Sequence, residues 1–353
     1  MEIAALVSGG VDSSVTIPLL KEQGFDPTIF YIKIGMEDAP AFSDCPSEED
    51  IEITTYIAKK YGCRMEIVDL QKEYWQTVVA YTIDSIKKGF TPNPDVMCNR
   101  LIKFGAFEER MGHQFDKIST GHYARNLSDE NGFYLGTAAD THKDQTYFLG
   151  RITYAQLSKL LFPIGNLLKS EVRRTAEAMK LPSAHRPDSQ GICFLGKVNY
   201  NDFIKRYTGE KEGDIIELET GKKLGRHKGF WFHTIGQRKG LGLGGGPWFV
   251  VKKDVDENII YVSNGYDPIS QYTETIRLVD MQFLHPDFSL SEGQLIRFKI
   301  RHQPEFNHGV VKSLQGTTVE IRSDKTLSGV APGQFGVLYF DQKPVCLGSG
   351  VLD

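Results

Sequence analysis

Ile3-Ala4-Ala5-Leu6-Val7-Ser8-Gly9-Gly10-Val11-Asp12-Ser13-Ser14 decides the fold class of this 353-residue chain. Its first five residues are apolar and read as a buried strand. Two glycines then interrupt the pattern, and residues 12–23 have helical character. A strand that passes through Gly-Gly directly into a helix lets its backbone approach an anion closely, and the helix start adds unpaired N–H groups and a positive dipole end. The hydroxyls of Ser8, Ser13 and Ser14 supply further donors. The loop has no Gly-Lys-Ser/Thr, so it is not of the Walker A type, and nothing matches Gly-x-Gly-x-x-Gly after the strand. Asp12 has no Walker A counterpart and is expected to hold Mg2+ against phosphates. Pro18 falls inside the helix, where it should cost a hydrogen bond or kink the axis.

Working outward, residues 28–34, 65–70 and 117–120 read as further strands. Helices are expected over 47–61, 73–88, 98–111 and 169–180. The first of these opens at Ser47, with Glu48, Glu49 and Asp50 in its first turn, where the helix dipole favours acids. Such alternation predicts an α/β fold with a doubly wound, mostly parallel sheet. Near residue 195 the pattern changes. Glycine becomes frequent, and β-type runs follow at Phe230-Trp231-Phe232, 248–251 and 259–262. After 266, short strands at 295–300, 309–311, 318–321 and 336–340 suggest a small barrel or sandwich, of which the barrel is the proposed layout. The expected domains are a catalytic α/β domain at 1–195, a small β-rich middle domain at 196–265 and a C-terminal β-barrel at 266–353.

The composition, 40% hydrophobic and 24% charged, is that of an ordinary globular protein. No apolar stretch approaches the roughly 20 residues a membrane helix needs, and the N-terminus lacks a signal-peptide pattern, so a cytoplasmic protein with no membrane partner is expected. Cys45, Cys63, Cys98, Cys193 and Cys346 are widely spaced without a C-x-x-C pair, which argues against a secreted disulfide framework and a structural zinc site. The net charge is −4, yet residues 222–253 carry eight Lys/Arg and no acid. That stretch reads either as a basic surface for nucleic acid, interleaved with Phe230, Trp231, Phe232 and Trp248, or as a solvated face.

Two cysteine segments carry candidate chemistry. In Thr91-Pro92-Asn93-Pro94-Asp95-Val96-Met97-Cys98-Asn99 the prolines stiffen the chain ahead of a helix, placing Cys98 near a helix N-terminus, where a thiol acidifies. Asp95 and Cys98, spaced i, i+3, share a face if the segment is helical, so the carboxylate could move a proton beside the thiol. The alternative is an Asp cap beside a core cysteine. Pro187-Asp188-Ser189-Gln190-Gly191-Ile192-Cys193-Phe194-Leu195-Gly196 reads either as a loop presenting Cys193 or as a buried strand cysteine.

The phosphate loop resembles that of the PP-loop ATP pyrophosphatases, which cleave ATP between its α- and β-phosphates. Together with the two cysteine segments, Ser119-Thr120-Gly121-His122-Tyr123-Ala124-Arg125, Lys143-Asp144-Gln145-Thr146-Tyr147-Phe148-Leu149, Thr234-Ile235-Gly236-Gln237-Arg238-Lys239-Gly240-Leu241-Gly242 and Pro332-Gly333-Gln334 are similar to motifs of the tRNA 2-thiouridylases, the MnmA/TrmU family. The resemblance runs from the first strand to the C-terminus. It implies ATP-dependent thiolation of the wobble uridine of tRNAs for Lys, Glu and Gln, with ATP and Mg2+ as cofactors and tRNA and a persulfide sulfur donor as partners. Cys193 matches the persulfide-carrying cysteine, Cys98 its partner in a Cys98–Cys193 disulfide, and Asp95 the acid/base. Leu6, Val7, Ser8, Gly9, Gly10, Val11, Asp12, Ser13, Ile32 and Gly121 match nucleotide-contacting positions. Asn93, Pro94 and Asp95 match the segment facing the target base, and His122, Lys143, Asp144, Gln145, Arg301, His302 and Gln334 match tRNA contacts.

The chemistry of the reaction fits this equipment, since oxide is a poor leaving group, adenylation makes it AMP, and a persulfide is a soft nucleophile. The sequence departs from the family pattern at Ile32, where Met is common, at residues 33–36, and at Gly348-Ser349-Gly350. Two rival readings stay open on the residues alone: another PP-loop adenylating enzyme, or a tRNA-binding protein whose ATP site does not turn over.

Overall fold

The computed structural model describes residues 1–35, 47–188, 200–265 and 272–353. Its first layer is a parallel sheet. Strand β1 (Ile3–Leu6) lies between β2 (Thr28–Lys33) and β4 (Lys117–Ser119); β3 (Met65–Asp69) is beyond β2, and after a hairpin of β5 (Ala124–Asp129) and β6 (Gly132–Thr137), β7 (Leu160–Leu161) pairs with β4. The order β3-β2-β1-β4-β7 follows from registers such as Leu6↔Phe30 and Ala5↔Ser119. Chain order therefore reverses at β1, and ligands of open α/β sheets bind outside the carboxyl ends of strands at such a reversal.

Every residue of β1 is buried. Ala4 and Leu6 join one apolar cluster with Phe30 and Phe107, whereas Ile3, Ala5 and Val7 join another with Val15 and Ile57. Alternate side chains of one strand thus feed cores on opposite faces, as expected for a sheet covered on both sides. Helix α1 (Val11–Glu22) follows the glycine loop and packs with α2 (Ser47–Tyr61) on the second of these clusters. Pro18 lies within α1, which continues past it to Glu22. The hairpin β5–β6 was not foreseen; it meets the C-terminal strands through a bridge between Gly136 and Val345.

The second layer is a four-stranded sheet of β8 (Gly213–Glu217), β9 (Lys223–His227), β10 (Trp248–Asp254) and β11 (Ile259–Asn264), in the order β10-β11-β8-β9. The aromatic run read as β-type is instead a short 3-10 turn, Phe230–Phe232, whose Phe230 fills the small core with Ile215, Val250 and Ile260. The third layer is a closed antiparallel barrel of β12 (Tyr272–Phe283), β13 (Leu295–Lys299), β14 (Asn307–Gln315), β15 (Thr318–Ser328), β16 (Phe335–Phe340) and β17 (Cys346–Leu352). The α/β sheet, small β layer and barrel occur in the expected order. No helix among the described residues is long and apolar enough to cross a membrane.

Candidate active site

The glycine loop connects the carboxyl end of β1 to α1 at the sheet's reversal point. Gly9 takes φ +74°, open to glycine, and a Cβ there would lie 2.8 Å from Asp50 Cα. Gly10 is extended and acts as the N-cap of α1 without a side chain. Hydroxyls brace the turn from within: Ser13 Oγ accepts from the Ser8 N–H at 3.1 Å, and Ser14 Oγ donates to the Gly10 carbonyl at 2.7 Å. Gly121, beyond β4, presses against the loop so closely that a Cβ would sit 2.5 Å from Ser13 N. Arg186 ties the loop to α2, donating to Gly9 O at 3.1 Å and to Asp50 Oδ1 at 2.5 Å, with Glu49 at 3.2 Å.

Asp12 is the charged residue of this turn. Lys169 Nζ reaches its two carboxylate oxygens at 2.7 and 2.8 Å, and Tyr123 OH donates to Oδ1 at 2.8 Å. Burial, with Asp12 beside it, pushes the Tyr123 phenol far up, so it stays a donor. Lys169 thus sits where the expected magnesium would approach Asp12, although a carboxylate with about four lone-pair sites can accept an ammonium and a cation together. Among the described residues no group of three or more His, Cys, Asp or Glu side chains could hold a metal ion. Lys169 also meets Asp188 Oδ1 at 2.9 Å, and Asp188 takes Lys143 and Arg173 at 2.7 Å each. Partial burial works against the Asp188 carboxylate, but the Lys143 and Lys169 contacts outweigh it and bring its pKa down to about 2.

The Cys98 segment is built differently. Asn93 caps α3 (Pro94–Cys98) by accepting from Val96 N–H at 3.3 Å, and Pro94 follows where a missing N–H costs nothing. The cap is therefore Asn93 rather than Asp95. Cys98 ends α3, one turn beyond the first, and is 2% exposed within the main core, where the π-helix Asn99–Ala106 begins. Asp95 is half-buried on the same helix, so the two residues do occupy a helical i, i+3 pair. The barrel holds this segment from the far side. Gln334 Nε2 donates to Thr91 O at 3.0 Å and Pro92 O at 2.9 Å, while its Oε1 accepts from Asn93 Nδ2 and Tyr147 OH, both at 3.3 Å.

A bonded path joins the two centres. From Asp12 it runs to Tyr123, whose N–H donates to Gln145 Oε1 at 2.9 Å; Gln145 precedes α4 (Thr146–Leu149), and Phe148 O accepts from Asn99 Nδ2 at 3.1 Å, next to Cys98.

Comparison with known proteins gives this geometry its context. Residues 1–197 match a family model described as a tRNA methyl transferase HUP domain, 201–264 a tRNA methyl transferase PRC-barrel domain and 273–352 an aminomethyltransferase β-barrel domain. The tRNA-specific 2-thiouridylase MnmA of Parabacteroides distasonis is 62% identical over 354 residues, covering 100% of this chain and 99% of its own length. The enzyme of the same name from Porphyromonas gingivalis is 59% identical over 359 residues, with coverage of 100% and 99%, and MnmA 1 of Bacteroides thetaiotaomicron is 60% identical over 352 residues, with 99% of each chain covered. The chain belongs to the tRNA-specific 2-thiouridylase family.

Against the family expectation, the structure gathers Ser8–Ser13 and Gly121 at one place, with Leu6 and Val7 buried in the strand end beneath, and half-buried Ile32 on the adjacent β2. The expected tRNA contacts are more dispersed. Asp144 is 3% exposed and holds Ala138 N–H, Thr146 and Lys299. Gln145 and Gln334 have their amides engaged within the chain, and Lys143 is paired with Asp188. His122 accepts or donates at Thr120 Oγ1 at 2.9 Å between Phe104 and Phe162, and burial holds its pKa well below the ordinary imidazole value. Arg301 and His302 are exposed at the end of the barrel's β13. Cys193 lies outside the described residues.

The basic stretch needs a correction. Lys223 pairs with Asp214 at 2.6 Å, Arg226 with Glu212 at 2.7 Å and Lys228 with Glu210 at 3.5 Å, all acids just outside the linear window. Burial lowers Lys253 to about 8, and its ammonium donates to His233 O. The surplus charge is thus smaller than the window suggested. Lys169, Asp188, Arg173 and Arg186 were not singled out from sequence as site residues. Their roles arise from ion pairs between distant segments, although Asp188 did lie within a quoted motif.

Proposed function

We propose that this protein activates the C2 oxygen of the wobble uridine in tRNAs for Lys, Glu and Gln with ATP, then replaces that oxygen with sulfur. The observation that carries the reading is the glycine–serine loop at the sheet's reversal point, braced by Gly121, in a chain 62% identical to a named tRNA-specific 2-thiouridylase. In the first step the uridine oxygen forms a bond to the α-phosphorus, the bond to the bridging oxygen breaks, and pyrophosphate leaves with the electron pair. The loop N–H groups and hydroxyls orient the phosphates. Asp12 would hold Mg2+ through an oxygen that Lys169 releases, neutralising phosphate charge there.

In the second step the terminal sulfur of a Cys193 persulfide, loaded by a persulfide donor, attacks C2 and AMP departs. The Cys98 thiolate then attacks the Cys193 sulfur, and the S–S electron pair stays on the sulfur bound to C2. The products are 2-thiouridine and a Cys98–Cys193 disulfide, which an external thiol reduces. Asp95, one helical turn before Cys98, takes the acid/base role, accepting the uridine N3 proton as the oxygen is adenylated and returning it as 2-thiouridine forms, and Asn93–Asp95 faces the base. Because Cys98 is 2% exposed, its thiol reacts only after local opening uncovers it. His122, Lys143–Gln145, Arg301, His302 and Gln334 complete the tRNA-facing set in this reading, with Arg301 and His302 the most accessible of them.

The test separates the half-reactions. With tRNA, ATP and a persulfide donor, Cys193→Ser is expected to release pyrophosphate yet form no 2-thiouridine, measured by mass spectrometry of the tRNA nucleosides. Thiouridine formation by that variant at the wild-type rate would sink the sulfur-transfer assignment. A wild-type protein that bound tRNA without releasing pyrophosphate would favour a binding protein.

A further inference from the structure

Lys169 is a phosphate-loop neighbour for which the thiolation reading has no task. Its ammonium has three acceptors, both oxygens of Asp12 at 2.7 and 2.8 Å and Asp188 Oδ1 at 2.9 Å, and its side chain is 13% exposed. Three N–H donors are thereby satisfied. Asp188 shares Lys169 with two further cations, Lys143 and Arg173, so it keeps partners when Lys169 turns away. Asp140, the other nearby carboxylate, directs its oxygens to the backbone N–H groups of His142, Lys143 and Lys169. Two carboxylates paired through side chains thus face three cations, and of these Lys169 is the one that touches the loop. An acid in the first turn of a phosphate-binding helix repels a polyphosphate, and an ammonium astride both of its oxygens cancels that repulsion.

We infer that Lys169 is a substrate-contacting residue: its ammonium engages the β- and γ-phosphates of ATP and stabilises the departing pyrophosphate. The inference rests on the adenylation reading above and names a residue of its first half-reaction. As the uridine oxygen bonds to the α-phosphorus and the bridging P–O bond breaks, negative charge accumulates on pyrophosphate. Lys169 meets it with a fixed positive charge and remains protonated throughout, so it transfers no proton itself. The lysine stem is long and flexible enough to keep one proton on Asp12 while turning the others toward phosphate. Asp12 then serves as the positioning residue that holds the ammonium at the loop mouth, and Tyr123 OH fixes Asp12 in turn.

Three full-length variants test this: Lys169→Met, Lys169→Arg and the double variant Asp12→Asn/Lys169→Met, which leaves no orphaned carboxylate. Calorimetry would measure inorganic pyrophosphate and adenosine as separate probes, and pyrophosphate release would be followed with ATP and tRNA. Lys169→Met is expected to weaken pyrophosphate binding at least about tenfold and slow release about a hundredfold, the scale seen when one charge-stabilising donor is removed. Adenosine affinity and the KM for tRNA should stay unchanged, and arginine should recover part of the loss. The double variant should remain as weak as the single one. Pyrophosphate affinity close to wild type in Lys169→Met, or restored in the double variant, overturns the inference and leaves a structural ion pair. If wild-type protein itself releases no pyrophosphate with tRNA, the adenylation reading fails and takes this inference with it. Release by wild type alongside unaltered variants removes Lys169 alone.

Discussion

Gly121 shows how a single missing side chain supports the phosphate loop. Alanine there would place its Cβ 2.5 Å from Ser13 N and 2.7 Å from Ser13 Cα, both backbone atoms that cannot swing aside. Overpacking of this kind costs about 1–3 kcal/mol and displaces the loop by tenths of an ångström or more. Gly121→Ala is therefore expected to raise the KM for ATP at least about tenfold while the far-ultraviolet circular dichroism stays native. An unchanged KM would show that the loop tolerates the displacement. The two loop glycines were legible because strand, Gly-Gly and helix are adjacent in sequence. Gly121 was legible only through resemblance, since its contact with Ser13 is made in space. Lys169 and Arg186 escaped notice for the same reason: nothing local tells a surface cation from one that reaches Asp12 or the Gly9 carbonyl.

Between elements, the most consequential contact is the one that holds the chain leading into α3. Gln334 satisfies two carbonyls, Thr91 O and Pro92 O, and Gly333 approaches so closely that a Cβ would lie 2.6 Å from Phe90 Cβ. Gln334→Ala strands these acceptors and removes the partner of Asn93, at a cost of about 1–3 kcal/mol. The expected outcome is a lower urea midpoint and slower thiouridine formation, with pyrophosphate release preserved. A residue serving RNA alone would instead raise the KM for tRNA and leave the midpoint in place. Strands and helices with strong periodicity were legible, down to β13 and α5 (Lys169–Ala178) within two residues at each end. The hairpin β5–β6 was missed because residues 124–137 mix polar and apolar positions between stronger signals. The turn Phe230–Phe232 was misjudged because aromatic composition does not distinguish a strand from a 3-10 turn packed on a small core.

At the scale of the whole molecule, the order of sheet, small β layer and barrel could be read from composition, but the fastening between them could not. Asp144 and Lys299 form a 3.0 Å ion pair with side chains 3% and 0% exposed, joining the α/β layer to β13. Arg151 reaches Asp280 and the Ser349 carbonyl across the same boundary, where β12 breaks its pairing between Val279 and Gln282. Removing one member of a buried pair leaves the other charge uncompensated, at about 3–5 kcal/mol. Lys299→Met should therefore lower the urea midpoint sharply, and Asp144→Asn less so because its amide can still bond. Equal stability of Lys299→Met and wild type would show that the barrel is held by packing alone. Such fastening also carries a consequence in time. Asn93 and Gln334 are 241 residues apart along the chain. A ribosome exposes the cysteine-bearing helix long before it makes the strand that clamps it, so the newborn enzyme carries an unfinished thiol centre until its last barrel strands emerge and close.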